Sequence, residues 1–165
     1  SEAEYIALWR YTVDFLRERG ARNLILAYSS ASHLAGAADF LDRYPGDDYV
    51  DILGFDTYQR KPGGRKRYLE DMANSFDIIQ PLAEEKGKLL ILAETGLESV
   101  PVEDWWTGTL WPAIKDRPIS YVLFWRNAYN QPDHYYAPFP GQTSAEDFKR
   151  FEALDGTLFL DDIQN

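Results

Sequence analysis

An α/β fold with a parallel sheet is predicted by three features of this 165-residue chain. Four short apolar runs start roughly 25 to 40 residues apart, the repeat length of strand-plus-helix units. Between them, apolar residues recur at three- and four-residue steps, as amphipathic helices require. Polar and aromatic side chains follow three of the four runs directly, and the carboxyl ends of parallel strands are where such folds build their sites.

The elements follow in order. Over residues 5–19, Tyr5, Leu8, Trp9, Thr12, Val13 and Leu16 define one helical face, and Gly20 is a natural stop. Residues 24–28 (Leu-Ile-Leu-Ala-Tyr) read as a strand buried on both faces. A small, polar loop over 29–37 and a helical turn over 39–43 come next. Tyr44-Pro45-Gly46-Asp47-Asp48 is a turn cluster, and residues 49–55 form the second strand, leading into Asp56-Thr57-Tyr58. The basic stretch 60–67 is a solvated loop. Tyr68, Leu69, Met72, Ala73, Phe76, Ile79 and Ala83 mark a helix ending at Gly87, with a kink or break expected at Pro81. Residues 89–93 are the third buried strand, ending in Glu94-Thr95-Gly96. A helix over 104–115, limited by Pro112, precedes the fourth strand, 119–125, which ends in Arg126-Asn127-Ala128. A long aromatic loop, 129–142, then leads to a short helix over 144–151, announced by the capping pattern Ser144-x-x-Asp147.

Composition narrows the function. With 27 acidic against 17 basic residues the formal charge is −10, which disfavours a nucleic-acid partner and an anionic membrane surface. No apolar run approaches the roughly 20 residues of a spanning helix. The absence of cysteine excludes disulfides, thiol catalysis and Cys-type zinc sites, and two histidines far apart argue against a His-rich metal site. Aromatic residues make up 15% of the chain, which fits either a ring-rich core or a cleft lined with flat faces for a ring-shaped substrate.

Glu94 is the sharpest residue. It emerges directly from Leu-Leu-Ile-Leu-Ala, where an unpartnered carboxylate would cost several kcal/mol. Tyr58 and Arg126, at the same end of other strands, are its candidate partners. Asp56 and Tyr58 share one face of their segment by strand alternation, whereas Asp51 points the other way and reads as a structural or exposed acid. Trp125 offers a flat face to a sugar ring or closes the core. His134 reads as a loop-packing residue, and His33 lies in a small-residue loop.

The segments Tyr44-Pro45-Gly46-Asp47-Asp48-Tyr49-Val50-Asp51, Gly54-Phe55-Asp56-Thr57-Tyr58, Glu94-Thr95-Gly96, Trp125-Arg126-Asn127-Ala128 and Tyr135-Tyr136-Ala137-Pro138-Phe139-Pro140-Gly141, in this order and spacing, resemble the C-terminal half of glycoside hydrolase family 26. That family's best-known members are endo-β-1,4-mannanases. The resemblance implies half of a (β/α)₈ TIM barrel, its strands five to eight with their helices, spanning residues 1–165. It also implies a retaining double displacement by two carboxyl groups, hydrolysing β-mannan or manno-oligosaccharides. By position Glu94 is the nucleophile and Tyr58 orients it. Asp56 helps order the site, Trp125 forms the floor under the sugar, Arg126 contacts that sugar or its neighbour, and Asn127 is a further substrate-side residue.

One departure is large. The family's acid/base glutamate follows a histidine in a His-Glu-x-Asn pattern, and no His-Glu occurs in this sequence. The acid/base and the first half of the barrel are therefore expected outside residues 1–165, and these residues alone are expected to be catalytically incomplete. Glu98 and Asp56 are the nearby acids, and Glu98, in a loop, does not read as a substitute. The expected partner is the N-terminal half of the barrel or another half-barrel. The chain opens on Ser1-Glu2-Ala3-Glu4 with no signal-peptide pattern, so residue 1 reads as a cut. Secretion or cell-surface attachment follows only from the substrate implied. No cofactor and no metal site is expected. The alternatives are a non-catalytic carbohydrate-binding half-barrel, an assembly module pairing through its open edges, or a family member acting on mixed-linkage β-glucan or β-1,3-xylan.

Overall fold

The computed structural model describes residues 1–163. Its sheet has four strands in sequence order, β1 (Ala27–Ala31), β2 (Ile52–Gln59), β3 (Leu89–Leu97) and β4 (Ile119–Phe124). The sheet is parallel, with Ala27 of β1 opposite Ile52 of β2 and Ala31 opposite Asp56. The helices are α1 (Glu2–Glu18), α2 (Ala37–Leu41), α3 (Arg65–Lys86), α4 (Trp111–Ile114), α5 (Ala145–Glu152) and α6 (Leu160–Ile163). Helix α1 starts earlier than its apolar stripe does, because Ser1 and Glu4 form a reciprocal capping box.

Two compact units divide the chain. One comprises Ser1–Asp56, Asn74–Ala93 and Ile119–Val122. In it, Leu53 and Phe55 of β2 and Ile91 and Leu92 of β3 are almost wholly buried, and Phe55 meets Phe76 edge-on at 4.8 Å. A Cβ on Gly54 would lie 2.6 Å from Ile91 Cγ1, so only glycine lets the two backbones approach this closely. Trp9 and Arg10 of α1 donate to the carbonyls of Tyr49 (3.0 Å) and Pro45 (2.7 Å), pinning the 44–49 turn. The Tyr28 phenol donates to the Phe40 carbonyl at 2.8 Å, and burial pushes its pKa up to about 12. Asp51 is exposed and accepts from the Leu26 amide at 2.8 Å, so it is both a surface acid and a structural one.

The other unit comprises Thr57–Ala73, Glu94–Pro118 and the chain from Leu123 onward. Trp105 and Trp106, both fully buried, cross at 90° and 4.8 Å, and Trp106 also packs edge-on against Phe124 and Phe148. The Trp105 indole donates to Gln59 Oε1 (3.0 Å) and the Trp106 indole to Ser144 Oγ (3.0 Å), so both polar edges are satisfied. The many aromatic residues thus serve the core first.

Several sequence expectations need correction. The first strand runs over 27–31, not 24–28, and Leu24 and Ile25 are exposed. None of β4 is buried, although its apolar run predicted a core strand. β1 and β4 are the edges of the sheet and have one neighbour each. β2 and β3 have two, and they carry the burial that the sequence promised to all four. The second strand starts at Ile52, because 47–49 close a 3₁₀ turn. Helix α3 runs unbroken past Pro81 to Lys86. A proline there costs on the order of 3 kcal/mol, and the burial of Ile79, Leu82 and Ala83 on either side holds the helix together. The helix expected over 104–115 is a π-helical turn (Trp106–Leu110) leading into α4, and Pro112 sits in the first turn of α4; it has no amide to donate, and the Gly108 carbonyl four residues earlier accepts from the Arg65 guanidinium instead.

The Ser144-x-x-Asp147 pattern does not cap its own helix, since the Ser144 side chain caps nothing and donates to Gln142 Oε1 instead. The fully buried Asp147 carboxylate accepts from the amides of Trp106 (2.9 Å) and Thr107 (3.0 Å), from the Thr107 hydroxyl (2.5 Å) and from Arg150. It caps the tryptophan turn. Asp147→Ala leaves two amides without their acceptor, at about 1–3 kcal/mol each. It should therefore lower the urea midpoint by the equivalent of about 2–6 kcal/mol at unchanged slope. An unmoved midpoint would show the cap to be dispensable.

Candidate active site

Strand alternation sorts the ends of β2 and β3 into two chemistries. On β2, Thr57 and Gln59 are buried, while Asp56 and Tyr58 share the other, half-buried face. On β3, Thr95 is buried and shares a 2.7 Å hydrogen bond with the Tyr68 phenol, whose pKa burial raises. Glu94, one residue earlier, points to the opposite face and is half-buried. β3 runs on to Leu97, so Glu94 is held inside a strand and not in the turn after it.

The Tyr58 hydroxyl donates to Glu94 Oε2 at 2.6 Å, the short length of a hydrogen bond to a carboxylate. Of the two partners expected for Glu94, Tyr58 is in place. Arg126 is exposed and has no hydrogen-bond or ion-pair partner among the described residues. Trp125 keeps 37% of its surface exposed, and its amide donates to the Thr95 carbonyl at 3.3 Å. The Asp56 carbonyl accepts from the Ser32 amide at 2.9 Å.

Tyr58 is itself flanked. The Tyr136 ring meets it edge-on (5.7 Å, 72°), and the Arg60 guanidinium lies over its ring at 5.2 Å. Burial, and next the charge of Glu98, raise the pKa of the Tyr136 phenol, with Arg60 partly offsetting them. Tyr136 belongs to the aromatic loop, which is tied down at several points. Asn127 Oδ1 accepts from the amides of Tyr136 (2.9 Å) and Ala137 (3.0 Å), and Asn127 Nδ2 donates to the Ala137 carbonyl (2.9 Å). The Ser99 amide donates to the Tyr135 carbonyl at 2.8 Å, and the Ser99 hydroxyl donates to the Asp133 carbonyl. His134 Nδ1 lies 2.7 Å from Glu98 Oε1, and its ring packs edge-on against Tyr136. This is the packing role read for His134, and it engages Glu98 within the loop.

Gly96 makes the arrangement possible. Its φ is +155°, and a Cβ there would collide with Tyr136 Cδ1. The motif Glu94-Thr95-Gly96 therefore combines a carboxylate, a core anchor and an open seat for a loop aromatic. Tyr136 and Gly96 lie within the family motifs with nothing in the sequence to mark a role for either, and Arg60, in a stretch expected to be a solvated loop, instead lies over the Tyr58 ring. The only signal was their position in the motifs, because contacts made by a loop leave no periodicity. Among the described residues, no group of three His, Asp or Glu is placed to hold a metal ion, and no helix is long and apolar enough to cross a membrane.

Comparison with known proteins adds to this geometry. A family model described as glycosyl hydrolase family 26 matches residues 1–131. The chain is 29% identical, over 92% of its length, to a mannan endo-1,4-beta-mannosidase of Bifidobacterium adolescentis, of which it spans 17%. Among solved structures it superposes on a GH26 beta-mannanase from Bacteroides ovatus with a TM-score of 0.94 and 44% identity, over 99% of this chain and 46% of that one. The catalytic domain of a Bacillus sp. GH26 endo-beta-1,4-mannanase gives 0.87 at 32% identity, over 99% and 46%. The chain thus spans less than half the length of these relatives, as expected for half of a (β/α)₈ barrel.

Proposed function

Since the chain belongs to glycosyl hydrolase family 26, we propose that it is the C-terminal, nucleophile-bearing half of the barrel of a retaining endo-β-1,4-mannanase. The observation that carries this reading is the 2.6 Å hydrogen bond from Tyr58 to Glu94 at the sheet's carboxyl end. In a double displacement the nucleophile must attack the anomeric carbon as a carboxylate and then leave again. Tyr58 engages Oε2, fixing the carboxyl plane and leaving Oε1 as the attacking oxygen. An acid/base glutamate outside residues 1–165 is supported by the absence of the family's His-Glu pattern from this sequence, and Glu98 pairs instead with His134.

Trp125 is the floor under the sugar whose bond is cut, and the exposed Arg126 binds that sugar or its neighbour. Asp56 orders the substrate side of the site, and Asn127 contributes through the loop that it holds. The substrate is β-mannan or manno-oligosaccharides, with mixed-linkage β-glucan and β-1,3-xylan as the alternatives that the same nucleophile would serve. The N-terminal half of the barrel is the partner that completes the cleft. A polysaccharide substrate places the enzyme outside the cell or on its surface.

Two measurements test the reading. Reducing-sugar release from β-mannan, mixed-linkage glucan and β-1,3-xylan by the intact enzyme identifies the substrate, and release from none of them sinks the proposal. Tyr58→Phe removes one hydrogen bond to a charged group, worth about 1.5–3 kcal/mol. It should lower kcat by roughly 10- to 100-fold with little change in KM. A change in KM alone would mean that Tyr58 binds substrate and does not hold the nucleophile.

A further inference from the structure

We propose that Tyr136 is a positioning residue for the nucleophile, acting through Tyr58; this rests on the assignment of Glu94 above. Tyr58 can hold the Glu94 carboxylate only if its own ring is held, and two rotatable bonds join that ring to the backbone of β2, which packing must fix. The Tyr136 ring meets it edge-on at 5.7 Å. Edge-to-face pairs of this kind have a preferred angle, so they fix orientation as well as distance.

Tyr136 is in turn fixed from three sides. Asn127 Oδ1 receives its amide, the His134 ring packs against it at 5.4 Å, and Gly96 of β3 offers the open space in which its ring lies. Gly96 is two residues from Glu94 on the same strand. Tyr136 therefore spans from the backbone of the nucleophile's strand to the side chain that orients the nucleophile. One loop ring thereby touches both the nucleophile's strand and the residue that orients the nucleophile. Nothing in this arrangement requires the Tyr136 hydroxyl, so the ring edge is the working part.

The test is a set of variants of the intact enzyme, assayed on β-1,4-mannan. Tyr136→Ala should lower kcat about 3- to 10-fold while KM stays within about twofold. Tyr136→Phe, which keeps the ring, should restore kcat to within about twofold of the unsubstituted enzyme. In a Tyr58→Phe background Tyr136→Ala should cost less than about twofold more, because residues that act through one another are not additive. Losses that multiply, a rise in KM at unchanged kcat, or failure of the phenylalanine to restore the rate would each overturn the inference. Glu94→Ala serves as the control. If it stays active, the nucleophile assignment fails and this inference falls with it. If it is inactive and the Tyr136 variants behave additively, only the inference fails.

Discussion

Glu94→Ala in the intact enzyme is expected to reduce mannan hydrolysis by at least about 10³-fold, the scale on which loss of a covalent nucleophile acts. The fold should survive, because Glu94 is half-buried and its hydrogen bond runs to the Tyr58 phenol, which water can satisfy in its place. The informative part is the rescue. Removing the carboxylate opens space on the side of the sugar from which it attacked. A small anion such as azide can enter there and displace the leaving group with a single inversion, so a β-mannoside yields the α-mannosyl azide. An acid/base variant would behave differently. Its glycosyl-enzyme still forms, and azide then gives the β-product after a second inversion. Rescue to the α-azide therefore identifies Glu94 as the nucleophile, and a β-azide would move it to the other role. Full activity without azide would remove Glu94 from the mechanism.

The second large effect concerns the chain by itself. Residues 1–165 are expected to release reducing sugar from β-mannan at no more than about 10⁻² of the rate of the intact enzyme, since a general acid alone contributes roughly 10²- to 10⁴-fold. A retaining pair needs its carboxyl groups about 5–5.5 Å apart, and Glu98, the acid nearest in sequence, is held by His134 at 2.7 Å. Stability works in the same direction. The edge strand β4 has no buried residue, and Tyr121, Leu123, Leu8 and Tyr11 expose 42–65% of their surface. Such surfaces favour association of the isolated chain. A fragment that matches the intact enzyme would place the acid/base within these residues, with Asp56 or Glu98 as its only reasonable source.

What the sequence made legible follows from how each element is buried. The first halves of β2 and β3 are apolar and largely buried because each strand has two neighbours in the sheet, and continuous runs such as Leu89-Leu90-Ile91-Leu92-Ala93 stated that directly. β1 and β4 carry similar runs, but an edge strand's pairing is decided by one neighbour only. Hydrophobicity therefore misplaced β1 by three residues and overstated the burial of β4. The pairing of Tyr58 with Glu94 was foreseeable because strand alternation and the family motifs converge on it. Asp147 was not foreseeable in its true role. A Ser-x-x-Asp pattern promises a local cap, and only tertiary structure shows the carboxylate serving a turn 41 residues earlier. The aromatic loop was hardest, because its contacts with Gly96, Tyr58 and Asn127 leave no mark in composition or periodicity.

That distant cap has a consequence during synthesis. The ribosome makes the amides of Trp106 and Thr107 41 and 40 residues before the carboxylate that receives them. At about 5–20 residues per second the nascent chain waits roughly 2–8 seconds for Asp147. Until then the two tryptophans that become the centre of this unit have no completed turn to sit on. The capped form of this turn thus follows the arrival of α5, after the strands that Trp105 and Trp106 also touch.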